Sequence, residues 1–502
     1  EVLDFLSDLN PKKSVGLDGI SSKFLFDGRS TIKKHLLHIF NLSISSGCVP
    51  DVLKSAKVVP IHKKDNKRDV SNYRPVSILC STSKILEKIV YNQVESYLLK
   101  NNILFDFQSG FRQNFSTDTC LIHITDYIKS EISLGRYVGM VLIDLRKAFD
   151  TVNHSIMCQK LEAIGFDQST VAWFKSYLQN RTQLVNVNGV FSDKRNISCG
   201  VPQGSVLGPL LFNLYINDMQ SSVSCKLMLY ADDAALIVSH KDYNTVESNL
   251  SDNLYSLNNW LIHNKLSLHL GKTQSILFAS KRKLKIHSHL NVTCGRTPIE
   301  SVKKTKYLGL KLNQNMDSSD IVTNIISKCN SRLKFMYRQA KHLPISAKKT
   351  LSNALIMCHF DYCSSAWSSS LTKDQAKKLQ ILQNKVVRFI FNFGNRTHVG
   401  PEELDKLGWL DTYHRSLQLK ANHVHDIYYN NSPAYLQSNF VKVSNMHRYN
   451  TRSCNYNFFV PQVKGLQSAT FYYSAITLWN SLPADLKNTS CKNSFKSKVK
   501  EF

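Results

Sequence analysis

Three carboxylates carry the chemistry this sequence could do. Asp144 ends the apolar run Val141-Leu142-Ile143, and Asp232-Asp233 interrupts a second apolar stretch between Leu227-Met-Leu-Tyr230-Ala231 and Ala234-Ala-Leu-Ile-Val238. Adjacent carboxylates repel one another, and placing them between buried strands is costly unless a cation relieves the repulsion. A third acid from another strand completes an oxygen-rich set suited to Mg²⁺, with Mn²⁺ as a substitute; such ions take a few carboxylates plus substrate phosphates. Two ions about 3.5–4 Å apart activate an attacking hydroxyl and stabilise the leaving oxygen of an in-line phosphoryl transfer. Asp also favours turns, so the pair by itself reads more readily as a hydrophilic turn, and the surrounding segments decide otherwise.

The elements that must position these acids are legible from periodicity. Tyr137–Ile143 is an apolar strand bounded by Gly135 and Asp144, and 226–239 reads as strand, Asp-Asp turn, strand. Between them a helix is expected with Asn153 as its cap, Met157, Leu161 and Ile164 on one face and Gly165 as its stop. A second helix carries Val171, Phe174 and Leu178. Gln183–Val187 and Val190–Ser198 flank Asn188-Gly189, a strong hairpin signal. The loop 200–209 leads into a helix through Leu211, Leu214 and Tyr215. Upstream, Val58-Val59-Pro60-Ile61 is a strand followed by a basic turn, and 81–100 places Ile85, Ile89, Val90, Val94, Tyr97 and Leu98 at helical spacing. After about Asp317 strands give way to helical stretches near 319–341, 345–358 and 372–392. Strands and helices mix without regular βα alternation, so the class is α+β.

Charge and size narrow the partners. The chain has 502 residues, enough for several subdomains, and 64 Lys+Arg against 37 Asp+Glu give +27. That is the footprint of a nucleic-acid binder, or else a generally basic solvated surface. The mean hydropathy of −0.24 describes a soluble folded protein, without a membrane-spanning run, and no targeting signal is readable. The chain enters a folded-looking segment at Glu1 without Met, as a fragment with its upstream part missing would. Twelve cysteines are scattered; Cys358 and Cys363 flank His359 but lack a second ligand pair for zinc, so buried free thiols in a reducing compartment are expected.

Seven segments in chain order resemble the motifs of reverse transcriptases of non-LTR (LINE-type, jockey-like) retrotransposons. They are Asn72-Tyr-Arg-Pro-Val-Ser-Ile-Leu79, Gln108-Ser-Gly-Phe-Arg112, Asp144-Leu-Arg-Lys-Ala-Phe-Asp150, Gly200-Val-Pro-Gln-Gly-Ser-Val-Leu-Gly-Pro209, Tyr230-Ala-Asp-Asp233, Leu266-Ser-Leu-His-Leu-Gly-Lys-Thr273 and Tyr307-Leu-Gly309. The resemblance is tight over 57–312 and loose afterwards. It departs at Gly16-Leu-Asp-Gly19, where Gly-Pro-Asp-Gly is common, and at Gly271, where another small or polar residue is usual. Neither departure touches the metal chemistry.

The resemblance implies a right-hand polymerase: an N-terminal extension over 1–56, fingers over 57–130, a palm over 131–315, a helical thumb over 316–400 and a small C-terminal extension over 401–502. It implies that Asp144 and Asp232 bind both Mg²⁺ ions with Asp233 assisting, and that the Leu145 carbonyl is a further ligand. Phe149 resembles the aromatic gate that excludes a 2′-hydroxyl. Gln203 stands where the family contacts nucleotide and template, while Arg74, Lys63 and Arg68 would neutralise the triphosphate. Lys272 resembles the lysine that protonates pyrophosphate, and Tyr307, Leu308 and Gly309 match the hairpin that grips the primer. Asp150 is read as pairing or capping locally near Asn153.

The partners implied are an RNA template, a DNA primer or nicked target DNA, and dNTPs, with action in the nucleus. No endonuclease signature is visible, so an upstream domain would supply the nick. Two other readings stay open. An RNA-dependent RNA polymerase shares the palm, but Phe149, Ala231 before the acid pair and Pro-Gln-Gly favour DNA synthesis. A catalytically silent RNA-binding descendant would mark itself by losing an acid, and all three are kept. In the tail, Trp409, His447–Arg452 and Thr477–Pro483 interleave aromatics with basic residues, which either stack on unpaired bases or form the core of a small unit.

Overall fold

A strand covered on both faces reads as an unbroken apolar run, and Tyr137–Ile143 is such a run at the centre of a sheet. The computed structural model describes residues 1–63, 65–340, 342–446 and 456–501. Lys64 and the His447–Arg452 segment therefore lie outside the described residues. The strands used below are β1 (Ser55–His62), β2 (Tyr73–Ile78), β3 (Tyr137–Ile143), β4 (Arg181–Val187), β5 (Val190–Phe191), β6 (Arg195–Ile197), β7 (Lys226–Tyr230), β8 (Asp233–His240) and β9 (Gln274–Phe278). The fold is α+β, and it divides into two compact units.

The first unit comprises 1–111, 144–224 and 253–270. Its sheet runs β2-β1-β4-β5, with β6 also on β4. β1 lies antiparallel to β2, with Val59 opposite Val76, and parallel to β4, with Val58 opposite Val185. Helix Ser81–Lys100 buries Ile85, Ile89, Val90, Val94 and Leu98, the face its spacing predicts. Helix His154–Ala163 is capped by the Asn153 side chain, which accepts from the Ile156 amide, and Gly165 follows it at φ +93°. The expected strand over Val190–Ser198 is broken into β5 and β6. At the break the Ser192 hydroxyl accepts from the Val185 amide at 2.9 Å, occupying a donor the ladder would use. The Asn188-Gly189 turn forms as expected, with φ of +51° and +88°.

The second unit comprises 112–143, 225–252 and 271–502. Its main sheet has β3 between β8 and β9, both antiparallel to it, with β7 beyond β8 and the strand Glu300–Ser301 beyond β9. Helix Tyr243–His263 covers β3 closely: a Cβ on Gly139 would stand 2.5 Å from a Leu250 methyl and 2.6 Å from a Val246 methyl, so any side chain here would have to displace them. Helices Ser319–Gln339 and Lys373–Phe391 match their predicted spans. The helix expected near 345–358 is instead Ile345–Ser352, a π-helical turn over Asn353–Met357, and Cys358–Asp361.

Several of the tail's aromatics are core, while Tyr413 and Phe459 are exposed and Trp409 is half-buried. Phe471, Trp479 and Phe495 have no exposed surface, and Phe458 is buried beside them. They pack with the rest of this unit: Asp126 on helix Thr117–Ser133 accepts the amides of Phe471 and Tyr472 at 2.8 Å. Among the described residues no helix is long and apolar enough to cross a membrane. Cys80, Cys120, Cys294, Cys329 and Cys363 are buried as expected, but Cys48, Cys199, Cys358 and Cys491 are exposed.

Candidate active site

The acid pair is divided between turn and strand. Tyr230 pairs with Asp233, so the two-residue turn is Ala231-Asp232, and Asp233 is already the first residue of β8. Ala231 sits at φ +55°, a left-handed conformation that strains a non-glycine residue by about 1–3 kcal/mol and is characteristic of functional turns. Asp232 is half-buried and Asp233 exposed. β3 ends at Ile143 opposite Ala234, the residue after Asp233, and the next residue along the chain is Asp144.

Beyond β3 the chain makes a short antiparallel bridge of its own. The Arg146 amide donates to Ser267 at 2.9 Å, and the His269 amide donates to the Asp144 carbonyl at 2.8 Å. Leu145 faces Leu268 between these bonds. In such a non-hydrogen-bonded position the residue's own carbonyl points away from its partner strand. Leu145 therefore offers a backbone oxygen next to a fixed acid. Among the described residues, no group of three or more His, Cys, Asp or Glu side chains is gathered tightly enough to hold an ion by itself.

The loop 200–209 is fixed from three sides within its unit. The Gln203 carbonyl accepts from the Ser77 amide of β2 at 2.7 Å. Gly204, at φ +132°, lets that strand approach: a Cβ there would stand 2.3 Å from the Ser77 oxygen. The Gln203 amide donates to Asp150 at 2.8 Å. Asp150 is thus held by the loop, and the local pairing near Asn153 expected for it is not what the structure contains.

The third anchor was not found from the sequence. Glu87, 1% exposed on helix Ser81–Lys100, accepts the Val206 amide at 2.6 Å and the Leu207 amide at 3.3 Å, where helix Leu207–Tyr215 begins. A carboxylate at a helix N-terminus is favoured by the dipole. Burial pushes its pKa up, while the Arg181 charge and the two amides pull it down. The available signal was an acid on the otherwise apolar face of that helix. Helix Leu207–Tyr215 also starts earlier than expected, with Pro209 in its first turn, where the missing N–H is harmless.

Phe149 stacks on Phe212 with ring centres 4.3 Å apart and meets Phe111 edge-on at 6.2 Å, yet keeps part of its surface open. Lys63, Arg68 and Arg74 are all exposed around the β1–β2 connection. Lys272 is exposed two residues before β9.

The strands Lys304–Tyr307 and Leu310–Asn313 form a hairpin closed by Leu308 at φ +43° and Gly309 at φ +84°. Two successive positive φ values make the primed turn that suits the twist of a tight hairpin. Tyr307 is 4% exposed. Burial, together with the nearby Cys120 and Asp233, raises its hydroxyl well above the usual tyrosine range. The hairpin therefore lies within electrostatic reach of the acid that opens β8.

A family model described as reverse transcriptase (RNA-dependent DNA polymerase) matches residues 61–312, half of the chain. The chain is 27% identical over 402 residues to the probable RNA-directed DNA polymerase from transposon BS of Drosophila melanogaster, covering 78% of this chain and 44% of that protein. The same organism's RNA-directed DNA polymerase from mobile element jockey is also 27% identical over 402 residues, covering 78% of this chain and 43% of the relative. Its probable RNA-directed DNA polymerase from transposon X-element gives the same identity and coverage as jockey. The chain spans less than half the length of these curated relatives.

Proposed function

The chain belongs to the reverse transcriptase family, among relatives from non-LTR retrotransposons, and from that membership we propose that it copies RNA into DNA. The reaction is attack of a primer 3′-hydroxyl on the α-phosphate of a deoxynucleotide, with release of pyrophosphate. The observation that carries this reading is the pairing of β3 with β8, which brings one apolar strand's end, followed by Asp144, to the start of the strand that opens with Asp233.

The donor set suits divalent ions. Asp144, Asp232, Asp233 and the Leu145 carbonyl offer only hard oxygens, which Mg²⁺ prefers. An ion of that kind takes waters and substrate phosphates beside a few carboxylates. When bound, a pair of such ions supplies Lewis-acid activation of the hydroxyl and charge neutralisation at the phosphate.

The remaining work falls to this chain's own groups, mostly as positioning and electrostatics. The exposed Arg74, with Lys63 and Arg68, draws the triphosphate to the β1–β2 edge. Gln203, steadied by Asp150, presents its Oε1 to the nucleotide or template. Phe149 lies under the sugar, Lys272 gives a proton to the pyrophosphate, and the Tyr307-Leu308-Gly309 turn holds the primer end. On this reading fingers occupy 57–130, the palm 131–315, the helical thumb 316–400 and an extension 401–502. The partners are an RNA template and a DNA primer, including a nicked target in the nucleus.

Primer extension on an RNA template, with dNTPs against rNTPs, tests the proposal. Asp144→Asn and Asp232→Asn should each lower the rate by at least ~10³-fold, with melting unchanged because the lost charges oppose one another. Near-normal extension by either variant sinks it.

A further inference from the structure

Gly309 is the second residue of the hairpin turn, and the side chain that meets it comes from Tyr362, 53 residues on in the helical region. A Cβ on Gly309 would stand 2.9 Å from the Tyr362 hydroxyl and 3.0 Å from its ring, so the ring occupies the space a side chain would need. The Tyr362 hydroxyl donates to the Leu308 carbonyl at 2.6 Å. Tyr362 thus touches both residues of the turn, one by a hydrogen bond and one by shape.

The turn has reason to need such support. Leu308 is held at φ +43°, where a non-glycine residue is strained. A hydrogen bond to its carbonyl offsets part of that cost and selects this turn over its alternatives. Tyr362 is itself well fixed. Its carbonyl accepts from the Trp367 indole at 3.1 Å, and the next residue, Cys363, is buried in a left-handed conformation at φ +50°. Burial and the charge of the Asp118 carboxylate raise both the Tyr362 hydroxyl and the Cys363 thiol, and Asp118 faces His423 at 3.4 Å. The tyrosine that supports the turn therefore sits in the field of helix Thr117–Ser133, whose Asp118 faces His423 of helix Thr412–Tyr428. Tyr362 lies outside residues 61–312, the span the family model matches.

We infer that Tyr362 is a positioning residue for primer binding: it sets the Leu308-Gly309 turn in the conformation that holds the primer end. This rests on the reading of that hairpin as the primer grip. The hydroxyl is the part that matters, because the ring alone would leave the Leu308 carbonyl free to rotate with the turn.

Tyr362→Phe keeps the ring against Gly309 and removes the hydrogen bond, so it separates positioning from packing. With the full chain on an RNA template, the variant should bind primer–template about 5–10-fold more weakly and add fewer nucleotides per encounter. Its KM for dNTP, and kcat at saturating primer, should stay within about twofold of the parent. Melting should be nearly unchanged. Gly309→Val, which forces ring and turn apart, tests the hairpin reading separately and should weaken primer binding further. If Gly309→Val weakens primer binding and Tyr362→Phe does not, Tyr362 is not the positioning residue. If neither changes primer binding, the grip reading fails and the inference with it. An effect of Tyr362→Phe on kcat or dNTP KM alone would also overturn it.

Discussion

Gln203 donates from its side-chain nitrogen to a carboxylate oxygen of Asp150 across 2.8 Å. The two residues are 53 positions apart, one in the loop that follows the β4–β6 hairpin and one six residues past Asp144. The bond couples the loop proposed to meet the nucleotide to the segment that carries Phe149. It also gives Asp150 an occupation that needs neither a metal ion nor a ribose.

Gln203→Glu should therefore place two carboxylates face to face and loosen the loop. One of them must take a proton to restore the bond, so the defect should be largest at neutral and alkaline pH and ease toward pH ~6. Adding Asp150→Asn to that variant recreates an amide–carboxylate pair with the roles exchanged. Primer extension across pH should fall in the single variant and recover substantially in the double. A double variant no better than the single would mean that the bond does not hold the loop.

What the sequence made legible was local. The β3 run, the β7–β8 stretch, the Asn153 cap, the Gly165 stop and the Asn188-Gly189 turn each announce themselves within ten residues, and each stands where it was read. Helix Thr117–Ser133 is closed by a reciprocal Ser116–Thr119 capping box, with Thr where the usual sequence signature has Glu or Gln. The role of Tyr362 and the partners of Glu87 and Phe471 were not legible, because they lie tens to hundreds of residues away. The motif acids were identified by type and order. The exact turn was not, since only the strand register shows that Asp233 belongs to β8 rather than to the turn.

Lys129 and Lys420 give a pH dependence with a definite sign. Lys129, 2% exposed, donates to the Ala469 carbonyl at 2.8 Å, and Lys420, 4% exposed, donates to Ser369 and Ser474 at 2.8 and 3.0 Å. Burial lowers both from the ordinary 10.5 to about 8, although Asp126 pulls each the other way. Between about 8 and 10.5 the unfolded chain binds more protons than the folded one, so stability rises as pH climbs through that window. The two groups together are worth on the order of a few kcal/mol. Melting measured at pH 7.5, 8.5 and 9.5 should increase, and the Lys129→Met, Lys420→Met double variant should lose most of the slope. A parent and variant with the same slope would show that these lysines do not carry it.

Phe149 lets the choice of sugar be tested against simple packing. One side of its ring is taken by Phe212, with planes tilted by 25°, and Phe111 meets it edge-on. It is nonetheless only half-buried, so some of its surface remains open to a ligand. A gate needs both properties: backing that keeps the ring from yielding, and a free surface that meets the sugar. Phe149→Val removes the surface that would collide with a 2′-hydroxyl and offers no hydrogen bond in its place. The preference for dNTP over rNTP should fall by at least ~10-fold, because steric exclusion by a backed ring exceeds the effect of one methylene in a soft pocket. Stability should fall too, by about 2 kcal/mol, less than the roughly 3–5 kcal/mol lost when a fully buried aromatic is truncated. Phe212→Leu supplies the control: it removes the backing and leaves Phe149 itself, so discrimination should weaken by a smaller factor. Measuring the dNTP/rNTP ratio beside melting for both variants decides the matter. A lower melting temperature with an unchanged ratio in Phe149→Val would make Phe149 a core residue, and the case for DNA rather than RNA synthesis would then rest on family membership, Ala231 and the Pro-Gln-Gly loop.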